Sequence, residues 1–238
     1  MKILGIDSHS NRTQAAVIED GHICGQVLLR GYETHSENLF LAIERVLHTV
    51  SNIDAVAVAA GPGSFTGLRI GVTAAKVMAY SRKVPLVGVS TLEAIAYQIR
   101  GLAPLQAVMV DAKRSRVAAS LYQLPASDTA LDAKRKPLIK PGIYPVEEYI
   151  HLLKGFDDKR PVVSGGDACE LYFEELSHAL GDRLLKPHIY WMFLHSASIA
   201  YLGKALIESG IQHDPFKLVP EYLKRSEAEI QWELRAQS

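Results

Sequence analysis

The run Gly61-Pro62-Gly63-Ser64-Phe65-Thr66-Gly67 follows a continuous apolar segment and precedes a helical pattern. In that context the free amides of a helix N-terminus can hold a phosphate. The spacing departs from both standard phosphate loops. A Walker loop needs glycine, four residues and then Gly-Lys-Ser/Thr; here the four residues after Gly61 are followed by Thr66, Gly67 and Leu68, with no lysine. The dinucleotide fingerprint misses by one position, because Thr66 stands where the third glycine belongs. Gly61, Pro62, Gly63, Thr66 and Gly67 therefore read as a structural loop, a tight turn that lets two backbones approach, in preference to a phosphate cradle.

Asp7 closes the short apolar strand Lys2-Ile3-Leu4-Gly5-Ile6. A carboxylate there could hold magnesium or polarise a water, and the alternative, which we favour, is capping of the following turn. None of the nine histidines lies three to five residues from another, and there is no HExxH, so no metal site is expected. No G-x-S-x-G elbow occurs. Ser8 and His9 are adjacent, and neighbours in an extended segment point to opposite faces, so they do not make a nucleophile and base. Lys113, Arg114 and Arg116 could neutralise nucleic-acid phosphates, but a solvated hairpin is the favoured reading.

The elements that must position these residues are legible in outline. Thr13 to Glu19 and His22 to Leu29 are rich in β-formers and flank Asp20-Gly21, the signature of a type I′ hairpin. From Ser36, an expected N-cap, to Val50, residues Leu39, Phe40, Ile43, Val46, Leu47 and Val50 predict one apolar helix face. Asp54 to Ala60 predicts a strand buried on both sides. Leu68 to Arg82 predicts a helix that is apolar almost all round, with a polar stripe of Arg69, Thr73 and Lys76 and a small-residue stripe of Gly71, Ala75 and Ala79. Pro85 to Val89 predicts a strand, and Ser90-Thr91-Leu92-Glu93 caps a helix running to about Ile99. A second unit begins after Gly101. It has strands at Leu105 to Val110 and Arg116 to Leu124, and a polar connection from Pro125 to Pro141. A helix at Val146 to Leu153, a strand at Pro161 to Ser164, and helices at Asp167 to Leu180 and Ser196 to Ser209 follow. The tail from Ser226 onward, with few apolar anchors, is expected to be mobile.

Composition excludes several classes. Across 238 residues, 48% are hydrophobic and 22% charged, as in globular proteins, so a disordered or low-complexity chain is ruled out. Lys+Arg and Asp+Glu are both 26, and a formal net charge of +0 provides no global field for nucleic acid or anionic membrane. Cys24 and Cys169 are distant in sequence and read as inert thiols in a reducing compartment. No apolar run approaches the roughly 18 residues of a membrane span, and a cytoplasmic location with no membrane partner is expected.

Four stretches carry a resemblance: Ile3 to Asp7 with Ser8 and Ser10; His35-Ser36-Glu37; Gly61 through Gly71; and Ala75-Lys76. So do Val89 to Ala94, Asp111-Ala112-Lys113-Arg114, Gly165-Gly166-Asp167-Ala168 and Pro220 through Arg225. On these residues the chain resembles the TsaB family, also called YeaZ, of the TsaD-like glycoprotease superfamily. The resemblance implies an α/β fold of the actin, hexokinase and Hsp70 type (ribonuclease H-like), with two lobes at 1–101 and 102–238, the second reduced.

It further implies a subunit without catalytic residues of its own that heterodimerises with TsaD. TsaD transfers a threonylcarbamoyl group from its adenylate to N6 of adenosine 37 in tRNAs reading codons that begin with A, and the ATPase TsaE joins them. ATP or threonylcarbamoyl-adenylate is then expected on the partner subunits, and tRNA is met through the complex. The implied contact is a helical bundle, assigned to His35, Glu37 and Leu41 on the first helix and to Arg69, Gly71, Thr73, Ala75, Lys76 and Ala79 on the second. The chain departs from the family in reading Asp7-Ser8-His9 where Asp-Thr-Ser is common. Rival readings are a weak ATPase, kinase or peptidase of the same fold, and a homodimer using the same helices.

Overall fold

The computed structural model describes residues 1–31, 35–50, 52–124, 137–156 and 159–223. The tail from Ser226, Lys224-Arg225 of the closing motif and most of the connection from Pro125 to Pro141 lie outside the described residues.

Two five-stranded sheets share one topology. In the first, β1 (Lys2–Asp7), β2 (Arg12–Glu19) and β3 (His22–Arg30) form an antiparallel meander, and β4 (Ala55–Gly61) and β5 (Leu86–Ser90) add in parallel, giving the order β3-β2-β1-β4-β5. In the second, β6 (Leu105–Asp111), β7 (Arg116–Tyr122) and β8 (Ile139–Pro145) form the meander, with β9 (Val162–Gly165) and the two-residue β10 (Leu184–Leu185) in parallel. The equivalent order is β8-β7-β6-β9-β10. The later parallel strands are shorter, so the second lobe is the reduced one.

Strand periodicity builds the layers. Leu4, Ile6, Val56 and Val58 face one side, where they pack with Leu39, Ala42, Ile43 and Val46 of α1 (His35–Leu47) and Val72, Ala75 and Ala79 of α2 (Phe65–Arg82). Ile3, Ala55, Ala57 and Ala59 face the other side, against α3 (Thr91–Gln98) and α8 (Ser196–Glu208). Covered on both faces, β4 is buried along its whole length, as its apolar run predicts. Although α8 follows the second sheet in sequence, it packs on β1, β2 and β4, so the chain returns to the first lobe. No described helix is long and apolar enough to cross a membrane.

Several elements differ from expectation. Helix α1 begins at His35, so Ser36 lies in its first turn and is not its N-cap, and it ends at Leu47. Phe40 is exposed, because about 100° of rotation per residue carries it off the face of Leu39 and Ile43. The single helix expected over Asp167 to Leu180 is two, α5 (Asp167–Leu171) and α6 (Phe173–Leu180), because α5 packs on β6 and α6 on α4 (Val146–Gly155), with the turn at Tyr172. Strand β8 contains Pro141 and Pro145 yet pairs with β7, which an edge position allows.

Candidate partner face and interlobe cleft

The turn after β1 is an interlocked polar cluster. Asp7 is fully buried; its Oδ1 accepts the His9 backbone N–H at 3.0 Å and lies 2.8 Å from His9 Nδ1. Its Oδ2 accepts from Gln14 Nε2 at 2.8 Å, and Gln14 also donates to the Leu194 carbonyl at 2.6 Å and accepts from the Ser196 amide at 3.1 Å. Burial pushes the Asp7 carboxyl up, but His9 beside it and the hydrogen bonds from His9 and Gln14 outweigh this and hold it below its ordinary value. Burial pulls His9 down, and Asp7 outweighs that too, raising it. Both shifts favour a buried ion pair. Asp7 thus serves as a turn-capping carboxylate that ties β1 to the start of α8.

The glycine-rich loop is packed between this turn and the C-terminal segment. Ser64 is the N-cap of α2: its Oγ accepts from the Gly67 amide at 3.3 Å, and its own amide donates to the His9 carbonyl at 2.6 Å. The buried Ser8 hydroxyl donates to the Gly67 carbonyl at 2.7 Å. Gly61 has φ of 130°, and a Cβ there would overlap the Glu221 carbonyl oxygen. Gly61, Pro62, Gly63 and Gly67 therefore form a close-packed structural loop, with exposed Thr66 in the first turn of α2.

Part of the expected contact residues face inward. Gly71, Ala75 and Ala79 are buried within the chain: Gly71 meets the Ser8 hydroxyl and Val58, and Ala75 and Ala79 join the sheet-facing core. This corrects the stripe's assignment to a partner, because close approach serves α2 on its own sheet. Arg69 and Lys76 are engaged by the segment after α8, residues 211–223, which crosses back over the first lobe. Lys76 Nζ donates to the Leu218 carbonyl at 3.1 Å, and Arg69 Nε donates to the Tyr222 hydroxyl at 2.9 Å with its guanidinium over the Phe65 ring. Leu218 is buried, and the Glu221 amide donates to the Ala60 carbonyl at 2.6 Å. Sequence reading missed this strap.

Among the assigned residues Glu37, Leu41 and Thr73 face outward on α1 and α2, as do three large apolar side chains that sequence reading did not assign to the contact: Phe40 at 60% exposure, Val77 at 59% and Tyr80 at 63%. Thr73, Val77 and Tyr80 follow i, i+4, i+7 spacing, which is a usable signal for one helix face. His35 opens α1, and its side chain lies outside the described residues.

A family model described as TsaD: tRNA N6-adenosine threonylcarbamoyltransferase matches residues 30–232. The tRNA threonylcarbamoyladenosine biosynthesis protein TsaB of Bacillus subtilis is 29% identical over 239 residues, 98% of each chain. That of Escherichia coli is 30% identical over 162 residues, 65% of this chain and 68% of its own. The chain belongs to the TsaB (YeaZ) family. YeaZ from Pseudomonas aeruginosa shares the fold at a TM-score of 0.75 and 20% identity, covering 93% of this chain and 99% of its own. The wider architecture is the two-lobe α/β fold of the actin and hexokinase type, and EutJ from Carboxydothermus hydrogenoformans matches it at a TM-score of 0.51, 14% identity and coverage of 85% and 90%.

Between the lobes of this TsaB-family chain lies a cleft of about 960 Å³. Asp7 and Asp111 occupy equivalent strand ends, but only Asp111 lines the cleft, held by Lys113 Nζ at 2.6 Å. Lys113, Arg114 and Ser115 all have positive φ, so the β6–β7 turn is left-handed throughout. Among the described residues, no three His, Cys, Asp or Glu side chains come together as a metal site would require.

Proposed function

We propose that this chain is a non-catalytic activating subunit of the complex that transfers threonylcarbamoyl to N6 of adenosine 37 in tRNAs reading codons that begin with A. It acts by docking the outer faces of α1 and α2 onto a TsaD-type transferase. The names of the relatives support the pathway. The docking mode is supported chiefly by Phe40, Leu41, Val77 and Tyr80: four large apolar side chains on two neighbouring helices whose other faces are already buried. Exposed apolar surface of this kind on a compact domain marks an interaction site. ATP and threonylcarbamoyl-adenylate are then handled by the partner subunits, TsaD and the ATPase TsaE, and tRNA is met by the assembled complex.

The test is formation of threonylcarbamoyladenosine on tRNA by the cognate TsaD and TsaE, with and without this chain. Product that depends on the chain, and is lost in the double variant Val77→Asp/Tyr80→Asp while that variant stays folded, supports the reading. Product unchanged on omission overturns it.

A further inference from the structure

Arg12 of β2 and Arg30 of β3 are direct cross-strand partners, so their side chains leave the same face of the sheet, and both line the interlobe cleft. Like charges directly opposite each other destabilise a β-ladder. Among the described residues no carboxylate lies within ion-pair distance of either guanidinium. Across the cleft, Asp111 is already paired with Lys113, and Asp167 accepts the Asp111 amide at 2.9 Å. The Arg12 guanidinium is nonetheless held in place, stacked over the Phe193 ring at 3.3 Å from its centroid. Burial and then the nearby Arg30 pull Arg12 below the ordinary arginine range, with Asp167, Glu170 and Asp7 acting the other way. Among the described residues these carboxylates act on Arg12 without an ion pair to either arginine, so the like-charge pair at this cleft is only partly compensated.

We infer that Arg12 and Arg30 form a phosphate-binding site at this cleft. Two guanidinium forks on one face supply paired N–H donors suited to a phosphate oxyanion, which would remove their mutual repulsion. The cleft also presents Leu171 and Ile189 as exposed apolar wall, fitting the organic part of a phosphate ester. This site is separate from the α1–α2 face and stands independently of the docking proposal.

The full chain, in a chloride buffer free of phosphate, is titrated calorimetrically with inorganic phosphate, adenosine monophosphate and a short single-stranded RNA. Binding of phosphate by the wild type, weakened roughly tenfold or more in Arg30→Gln, is the expected result. Without ligand, Arg30→Gln melts higher than the wild type because the like-charge pair is gone. RNA displacing phosphate identifies a nucleic-acid backbone as the source. Displacement by adenosine monophosphate alone identifies a small ester, and either result keeps the site. The inference is overturned if the wild type binds none of the three probes at millimolar concentration. It is equally overturned if Arg12→Gln and Arg30→Gln both bind phosphate as well as the wild type does.

Discussion

The Ser8 hydroxyl donates to the Gly67 carbonyl at 2.7 Å, and the same oxygen occupies the space that a side chain on Gly71 would need. The turn after β1 is thereby fastened to the first two turns of α2. A Gly71→Ala variant must displace Ser8 or move the helix, and the expected loss is about 1–3 kcal/mol, the range for overpacking a tight site. For a chain of this length that lowers Tm by about 2–4 °C per kcal/mol in thermal denaturation. Affinity of the folded variant for the transferase is expected to stay at the wild-type level. A variant that melts like the wild type but no longer binds would return Gly71 to the interface.

Leu218 anchors the strap. It is buried in the first lobe's core, and its carbonyl receives Lys76. Leu218→Ala removes that anchor at an expected cost of about 2–4 kcal/mol. The segment 211–223 and the first turns of α2 should then exchange amide hydrogens faster, while β6 and β7 of the other lobe keep wild-type protection. Uniform loss of protection across both lobes would mean the strap has no local role.

The Asp20-Gly21 hairpin is legible in sequence because a type I′ turn needs positive φ at both positions, and they have 48° and 85°. The cap at Ser90 is legible for an equally local reason, a hydroxyl three residues before the amide it accepts from. The cap at Ser64 is not, because the glycines around it read as a loop, and α2 begins at Phe65 instead of the expected Leu68. The strap is not legible. Lys76 and Leu218 are 142 residues apart, and 211–223 carries no helical or strand period that would announce what it covers. The small stripe of α2 could serve a partner or the chain's own sheet equally well. Only the position of Ser8 beside Gly71 settles it. The Arg12–Arg30 pairing likewise depends on register: the two-residue loop sets Glu19 opposite His22, and a bulge at Val17/Ile18 then shifts the ladder by one residue, which composition does not announce.

The Asp7–His9 pair makes stability depend on pH in two directions. His9 is raised above the ordinary histidine value by Asp7 against the opposing effect of burial, so its contribution is complete below about pH 6.5 and is lost as pH rises through the raised folded value. Asp7 is held below the ordinary carboxylate value, so its contribution is complete above about pH 4 and is lost as pH falls through the lowered folded value. Between these limits the pair is fully stabilising. Melting temperatures recorded across the pH range should fall on the alkaline side for the wild type, and His9→Gln should flatten that limb. An alkaline limb of unchanged slope in His9→Gln would assign the dependence to other groups.

Tyr80 separates binding from folding. Its ring meets Phe216 edge-on at 5.2 Å, but most of it is open to solvent, so Tyr80→Ala should change stability by no more than about 0.5–1 kcal/mol. At the centre of a protein interface an aromatic truncation costs about 2 kcal/mol or more. Tyr80→Ala is therefore expected to weaken binding to the transferase at least about thirtyfold by calorimetry or surface capture, because 1.4 kcal/mol corresponds to tenfold. Product formation in the reconstituted reaction should recover when the variant is supplied in excess, since only occupancy is reduced. A Tyr80→Ala chain that binds normally, paired with a Phe40→Ala chain that also binds normally, would move the contact away from α1 and α2 altogether. An outcome in which Tyr80→Ala alone is silent would shift its centre toward Phe40 and Leu41.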